Sequence, residues 1–513
     1  MDSSKNGSVP GSSLAGAFAK PLERARSAAH RAELPAMEGR MRQLTGTDAT
    51  FVYLEGPETP MHLTTMYIYD QSTVEGGVFR HKDLLRLIAS RLDTSPVFQQ
   101  RMVHVPFDLD HPYWVHEPNV DLEFHVRHLA LPKPQDWRQL CVVAARLHAR
   151  PLDMKRPPWE INLIEGLDHV AGIPAGSFAI LVKYHHAAVD GMTGNDILGG
   201  LTDTSPDTHP LPELAPYDRS ASLPGPTVVE LLARAAVNGV TIPLRLAKQV
   251  TGVAPDLARM AFRSVSPGGP SGPAVPRTRF GEKVSPHRVV QGADFELIDF
   301  RTIKGAVPGA TVNDVVLAVC GGALRKYLLD KDELPEVSLV AAIPVSTRPS
   351  GETVGPGNSI TVMTAALETT VADPLERLRA VHASTKDAKE LGSATGAAQM
   401  SELASYVPAT AMALAGRLAT ISSLGAHTTP IGNCVVTNVP GPQVPLYLNG
   451  AKLLSTYGFG PLIDGVGLLI LATSYNKRLF LSLTSCRDLM PDPQFFAQCL
   501  RESFDDLMDA ATS

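Results

Sequence analysis

Two adjacent histidines, His185 and His186, followed by Asp190 and Gly191, form the segment of this sequence that is best suited to chemistry. They stand in YHHAAVDGMTG, at the end of the apolar run FAILVKY, which predicts a buried strand. Because neighbouring residues of a strand point to opposite faces, we expect one histidine to face a cavity and the other the domain interior. An imidazole is suited to general-base chemistry because its pKa lies near neutral pH.

Other roles for these residues stay open at this point. Asp190, after a short turn, is expected to hold that turn or to neutralise a buried cation, and Gly191 permits a positive φ there. Both histidines could instead be strand-end residues whose hydrogen bonds are simply satisfied. A metal site is disfavoured, because adjacent histidines on opposite faces make poor joint ligands and the sequence has no His-Glu-x-x-His segment. It also has no G-x-S-x-G elbow, phosphate-binding P-loop or G-x-G-x-x-G segment.

The composition is typical of a globular protein and argues against several other classes of protein. The chain has 513 residues, of which 44% are hydrophobic and 19% charged, as in an ordinary packed globular protein. A formal net charge of −6 argues against a nucleic-acid binder. Five widely spaced cysteines without a C-x-x-C pair argue against a disulfide framework and fit a reducing cytosol. The sequence shows no secretory signal and no apolar run long enough to cross a membrane, so we expect a cytoplasmic protein.

Composition shifts divide the chain into four ranges. Residues 1–36 are predicted to be a flexible extension, and residues 37–205 a first α/β domain that contains the histidine pair. Residues 206–285 are rich in Pro, Gly and Ser and are predicted to be a partly helical linker. Residues 286–513 are predicted to be a second α/β domain, and the mixture of crossover strands and a hairpin indicates mixed sheets rather than purely parallel ones.

Local signals predict the elements that position the histidines and their surroundings. Thr193 with Asp196, and Thr311 with Asp314, have the spacing of capping boxes, so a helix should start at each place. Two apolar runs separated by the turn Tyr475-Asn476-Lys477 predict a β-hairpin. Cys320 and Trp159 are interpreted as core residues and not as functional groups.

The His-His-x-x-x-Asp-Gly segment resembles the signature of the CoA-dependent acyltransferase and peptide-condensation superfamily. The match is closer to one branch, the bacterial wax ester synthase/acyl-CoA:diacylglycerol acyltransferases. Supporting segments follow in family order, from about residue 41 to 490: LTGTDATFVYLE, RPPWEINLIEGL, TVNDVVLAVCGGALRKYL, AAIPVSTR, GPGNSI, VVTNVPGPQVPLYLNGAKL and GPLIDGVGLLI. Pro158 departs from the family, which usually has Leu before the tryptophan; we expect altered packing there rather than lost chemistry.

The resemblance implies two chloramphenicol-acetyltransferase-like domains with an active-site channel between them. His186 would be the general base that takes a proton from an alcohol hydroxyl, whose oxygen then attacks the thioester of acyl-CoA. His185 would complete the catalytic motif, and Asp190 would have a structural role, paired with an arginine for which Arg101 is the candidate. The resemblance implies acyl-CoA as co-substrate, a fatty alcohol or diacylglycerol as acceptor, no cofactor and no metal.

Two alternatives of different kinds remain for the function. One is a condensation-type enzyme acting on carrier-bound acyl groups, and the other a catalytically silent relative that binds lipid. Because the implied substrates partition into lipid, we expect peripheral docking on membrane or lipid inclusions. The candidate docking element is the segment Thr227–Arg263, with a net charge of +3. An ordinary amphipathic connector is the competing interpretation of that segment.

Overall fold

Two six-stranded sheets and one small sheet hold all the strands that the computed structural model describes. The described residues are 41–189, 193–218, 225–239, 274–346, 360–394, 410, 412 and 431–513. The strands are β1 (Met41–Gln43), β2 (His62–Asp70), β3 (Gln100–Val103), β4 (Tyr113–His116), β5 (Val126–Ala130), β6 (Trp159–Glu165), β7 (Phe178–His185), β8 (Arg288–Glu296), β9 (Val340–Ser346), β10 (Ile360–Ala366), β11 (Cys434–Pro440), β12 (Tyr447–Leu448), β13 (Ala451–Phe459), β14 (Leu468–Tyr475) and β15 (Arg478–Cys486).

Both large sheets are mixed, as the sequence predicts. The first sheet has the order β12-β13-β2-β7-β6-β5, and only its β5–β6 pair is parallel. The second sheet has the order β10-β9-β11-β14-β15-β8, with β11 parallel to both of its neighbours. The small sheet is antiparallel, with the order β1-β4-β3.

The helices lie between and beside these strands. Those described are α1 (Gly46–Leu54), α2 (His81–Ala89), α3 (Leu122–His125), α4 (Trp137–His148), α5 (Thr193–Leu201), α6 (228–239), α7 (Leu297–Gly305), α8 (Val312–Asp330), α9 (Pro374–Ala394) and α10 (Pro493–Thr512). Among the described residues, none of these helices is both long enough and apolar enough to cross a lipid bilayer.

Several local predictions are confirmed. Helix α5 begins at Thr193, and helix α8 begins with the predicted capping box between Thr311 and Asp314. Strands β14 and β15 form the predicted hairpin, in which Asn476 and Lys477 have φ values of 43° and 70°. Such positive values at both central residues match the two-residue turn that the strand twist favours.

One strand crosses the predicted division of the chain. Strand β13 belongs to the predicted range 286–513, here called the second half, and it pairs with β2 of the predicted range 37–205, the first half. The pairing runs from Lys452 opposite Asp70 to Phe459 opposite Thr64. The apolar side chains of β13 join the core of the first sheet. The sequence did not predict this exchange, because periodicity identifies a strand without identifying its neighbours. The boundaries of the ranges 37–205 and 286–513 stay predictions, and the range 1–36 lies outside the described residues.

Candidate active site

His185 is the last residue of strand β7 and lies in the interior of the protein. All eight residues of β7 are buried, because the strand runs between β2 and β6. The backbone N–H of His185 donates to the carbonyl of Pro158 (3.0 Å), a contact that does not depend on the Pro158 side chain. The ring Nδ1 accepts from the backbone N–H of Ala187 (3.1 Å), and Nε2 lies 3.5 Å from Oε2 of Glu55. A hydrogen bond therefore holds this ring at Nδ1, whereas Nε2 faces a carboxylate without a hydrogen bond.

His186 lies in different surroundings, at the start of a short 3-10 turn (His186–Ala188). It is half-buried, whereas His185 is fully buried. Its backbone N–H donates to the carbonyl of Met61 (2.9 Å). Its imidazole stacks on the ring of Phe51, with centroids 3.8 Å apart and planes 14° from parallel. The second histidine is thus the less buried residue of the pair, and its ring has an aromatic face beside it.

Helix α1 supplies the groups that face the histidine pair. It begins after Thr45, whose hydroxyl accepts from the backbone N–H of Asp48 (3.1 Å) and caps the first turn. Phe51 and Glu55 are four residues apart, a spacing that places side chains on one face of a helix. Oε1 of Glu55 also accepts from the backbone N–H of Met61 (3.1 Å). Sequence reasoning missed both residues, although the segment LTGTDATFVYLE contained the four-residue spacing.

Residues from the second half of the chain contact the loop beside His186. The carbonyl of Glu58, in the loop between α1 and β2, accepts from the guanidinium of Arg288. Its carboxylate lies 3.1 Å from Nζ of Lys283. The histidine pair therefore lies next to a contact between the two halves.

Two further buried histidines lie on the other side of His185. His62 stands opposite His185 across the β2–β7 pair, and its Nε2 donates to the carbonyl of His148. His148 accepts from the hydroxyl of Thr64 at Nδ1 (2.9 Å) and donates from Nε2 to the carbonyl of Gly460 (3.1 Å). Burial lowers the pKa of His62 well below its usual value and that of His148 to about 3. Both rings are therefore neutral at pH 7 and have structural partners.

Lys183, on the same strand as His185, also has a structural role. Its Nζ is buried and donates to the carbonyls of Leu147 and Arg150, each at 3.0 Å. Burial lowers its pKa to about 8, against the opposing influence of Glu160 3.8 Å away. Over the residues that the structure describes, no three His, Cys, Asp or Glu side chains are grouped as metal ligands.

The remaining predicted site residues have separate outcomes. Asp190 and Gly191 lie outside the described residues, so the pairing of Asp190 with Arg101 stays untested; the described ion-pair partner of Arg101 is Glu117 (3.4 Å). Trp159 is buried and donates from Nε1 to the carbonyl of Phe98 (3.1 Å), which confirms its core role. Cys320 is also core, and burial raises the pKa of its thiol, so it is not poised as a nucleophile.

Comparison with known proteins places this chain in a family. Residues 44–316 match the wax ester synthase/diacylglycerol acyltransferase catalytic domain, and residues 356–508 match the C-terminal domain of the same family. A protein of Mycobacterium tuberculosis (strain CDC 1551 / Oshkosh), provisionally named a diacylglycerol O-acyltransferase, is 31% identical over 92% of this chain and 91% of its own. A similarly named protein of Mycobacterium bovis is 34% identical over 87% of each chain.

Solved structures show the same architecture. The wax ester synthase/diacylglycerol acyltransferase from Marinobacter aquaeolei VT8 is 29% identical, with a TM-score of 0.64 over 92% of this chain and all of that one. A starter condensation domain of rhizomide synthetase (12% identity, TM-score 0.52) covers 94% of this chain and 96% of its own, and shares the fold alone. The chain belongs to the wax ester synthase/diacylglycerol acyltransferase family and is an acyltransferase of that acyl-CoA-using family.

Proposed function

We propose that this enzyme transfers a long-chain acyl group from acyl-CoA to the hydroxyl of a fatty alcohol or diacylglycerol, giving wax ester or triacylglycerol, in a channel between its two halves. His186 takes the proton of the hydroxyl, and the oxygen attacks the thioester carbonyl to form a tetrahedral intermediate. Collapse of that intermediate breaks the carbon–sulfur bond, and the proton leaves with the CoA thiol. The observation that best supports this role is the position of His186. It follows a fully buried strand, is itself half-buried, and stacks its ring on Phe51.

The other two residues of the motif support this chemistry in our proposal. His185 keeps the turn in place, since its ring nitrogens already face Ala187 and Glu55. Asp190 holds the turn that follows, through a buried partner. No covalent acyl-enzyme is needed because the thioester is already activated, and no cofactor or metal takes part in these steps.

Purified full-length protein assayed with palmitoyl-CoA and hexadecanol or dipalmitoylglycerol tests the function. We expect ester product and stoichiometric CoA release. His186→Ala should lower the rate at least about 100-fold, the lower range for loss of a general base. His185→Ala should lower thermal stability as well as the rate, because it removes a buried ring that holds the turn. His128→Ala, which changes a half-exposed histidine far along the first sheet, is the matched control.

The outcomes separate the alternatives. Product formation only from acyl groups carried on a carrier protein would favour a condensation-type enzyme. Binding of palmitoyl-CoA without turnover would favour a silent lipid-binding relative. A folded His186→Ala variant that retains more than a tenth of the wild-type rate would remove the general-base role while leaving the acyltransferase function in place.

We further propose that this cytoplasmic enzyme docks reversibly on membranes or lipid inclusions, where its substrates accumulate. The described part of the predicted docking segment is helix α6. It packs Leu231 and Ala235 onto a cluster with Val105 and Tyr113. Its outer face exposes Val228, Val229, Leu232 and Val237.

A neighbouring loop extends this apolar surface. Asn238, near the end of α6, donates from its amide to Oδ2 of Asp110 (2.7 Å), which brings the 106–110 loop beside the helix. That loop exposes Phe107 (88% accessible) and Leu109 (51%). Apolar side chains grouped this way on a surface typically mark an interaction site. The sequence after α6 adds basic residues that suit an anionic lipid surface: Arg245, Lys248, Arg259 and Arg263.

Vesicle sedimentation tests the docking. The double variant Phe107→Ser/Val229→Ser and the variant that neutralises the four basic residues should both shift protein from the pellet to the supernatant. Added salt should weaken the binding of wild type and of the apolar variant. The matched control is Val78→Ser/Val337→Ser, which changes two exposed valines elsewhere. If both test variants sediment with anionic vesicles as wild type does, the segment is an ordinary connector.

A further inference from the structure

We propose that helix α1 positions the general base through two side chains. The ring of Phe51 stacks on the imidazole of His186 and fixes its orientation. The carboxylate of Glu55 holds the backbone around the histidine pair. This inference rests on the proposed role of His186 and extends it to residues outside the histidine motif. Both are positioning residues, since each acts through a histidine.

The contact with Phe51 does two things for the base. Near-parallel rings with centroids 3.8 Å apart leave the imidazole little freedom to rotate about its Cβ–Cγ bond. When His186 takes the proton of the acceptor hydroxyl, its ring becomes a cation that lies over an aromatic face. Such a face attracts a cation because the ring quadrupole is negative above its plane. Phe51 therefore favours the protonated form that the ring takes on as proton transfer proceeds.

The two carboxylate oxygens of Glu55 face two groups next to His186, the backbone N–H of Met61 and the ring of His185. Oε1 accepts from the N–H of Met61, and the carbonyl of that same residue accepts from the N–H of His186. Oε2 faces Nε2 of His185 at 3.5 Å. Because Nδ1 of His185 accepts from the Ala187 N–H, the neutral ring carries its proton on Nε2, which makes no hydrogen bond to the carboxylate at this distance. Glu55 thus ties the loop before β2 to the end of β7.

A substitution series at Phe51 tests the first contact. Phe51→Leu should lower kcat about ten-fold, the loss that corresponds to a partly desolvated cation–aromatic contact, with KM for palmitoyl-CoA unchanged. The acid limb of the kcat/KM pH profile should move to lower pH, because the imidazolium loses a stabilising partner and its pKa falls. Phe51→Tyr keeps an aromatic face and should retain the wild-type limb. Tyr53→Phe, on the same helix, is the matched control.

A second series tests Glu55. Glu55→Gln keeps an oxygen that can accept from Met61 but loses the charge facing His185, so kcat should fall less than in Glu55→Ala. Glu75→Gln is the matched control, because it removes an exposed carboxylate away from the histidine pair.

The two series also separate this inference from the proposed function. Wild-type kcat and an unshifted acid limb in both Phe51→Leu and Glu55→Gln would overturn the positioning role, provided that His186→Ala is inactive. If Glu55→Ala does not fold, the Phe51 series still decides the matter. Full activity of His186→Ala would instead overturn the proposed base itself.

Discussion

Burial separates the imidazoles around the site into two kinds. His62 and His148 are fully enclosed, and their ring N–H groups donate to backbone carbonyls. Desolvation disfavours their charged forms, which is why the pKa of each is lowered. His186 is only half-buried, and its ring stacks on an aromatic face. The three imidazoles therefore differ in chemistry because they lie in different elements, His62 on a strand, His148 at the end of helix α4 and His186 in a 3-10 turn.

The stability of the protein should depend on pH through His148. The unfolded imidazole binds a proton below about pH 6.5, whereas the folded ring stays neutral down to about pH 3. In that window the unfolded state holds more protons, so the free energy of unfolding decreases as the pH falls. The decrease approaches about 1.4 kcal/mol per pH unit for each such group. Urea unfolding at pH 7.5, 6.5 and 5.5 measures the slope.

The variant His148→Gln isolates this contribution. A glutamine amide can still donate to the carbonyl of Gly460 but has no proton to bind on unfolding. Its slope below pH 6.5 should be shallower than that of wild type. Parallel slopes would show that other groups carry the pH dependence.

The sequence identified the histidine pair but not its supports. Adjacent His185 and His186 are visible as a motif, and their strand is visible as an apolar run. Phe51 and Glu55 lie at least 130 residues earlier, and only the folded chain shows that they face the motif. A contact between distant segments leaves no periodic signal, whereas a strand or a helix does.

At the scale of elements, helix α8 shows how closely the second core is packed. A Cβ added at Gly321 would lie 2.2 Å from the backbone oxygen of Leu367, and one at Gly322 would lie 2.1 Å from Oγ of Ser503. The apolar pattern of this segment predicts a helix that contains both glycines, but the partners that require them lie just after β10 and in α10. Two small residues therefore set the distance between three elements.

Gly321→Ala should destabilise the protein although alanine favours helix. Alanine gains about 1 kcal/mol of helix propensity over glycine. The clash with a backbone oxygen requires main-chain movement, and overpacking of a core costs about 1–3 kcal/mol. Gly305→Ala is the matched control, since that helical glycine is exposed and has nothing within 4 Å of an added Cβ. Urea unfolding should rank Gly305→Ala at or above wild type and Gly321→Ala below it; equal stabilities would contradict the packing argument.

Elements whose signals are local were predicted well. The capping box of α8, the start of α5 and the turn at Asn476 depend on residues within a few positions of one another. The pairing of strand β13 was not predicted, because its partner β2 is separated from it by most of the sequence. Local propensity decides whether a strand forms, and burial against a distant surface decides where it pairs.

At the scale of the whole molecule, this strand joins the two halves. Seven residue pairs connect β13 to β2, so the first sheet extends beyond residues 37–205 into the second half. The hydrogen bond from His148 to Gly460 and the contacts of Arg288 and Lys283 with Glu58 cross the same division. The loop beside His186 is therefore braced by Arg288, which follows the predicted linker 206–285, and by Lys283, which lies at the end of that linker.

The two halves should consequently fold as one unit. In residues 1–285 produced alone, β2 would still pair with β7, but the edge that β13 covers would be open. An open strand edge promotes aggregation. We expect this fragment to be insoluble or to unfold without a cooperative transition, and co-production with residues 286–513 to recover a soluble complex. A protease site inserted between Pro267 and Pro273 and cleaved after folding provides the control, because both pieces should stay together on size-exclusion chromatography through β13. A fragment 1–285 that is soluble by itself and melts cooperatively would show that the first sheet is stable without the strand from the second half.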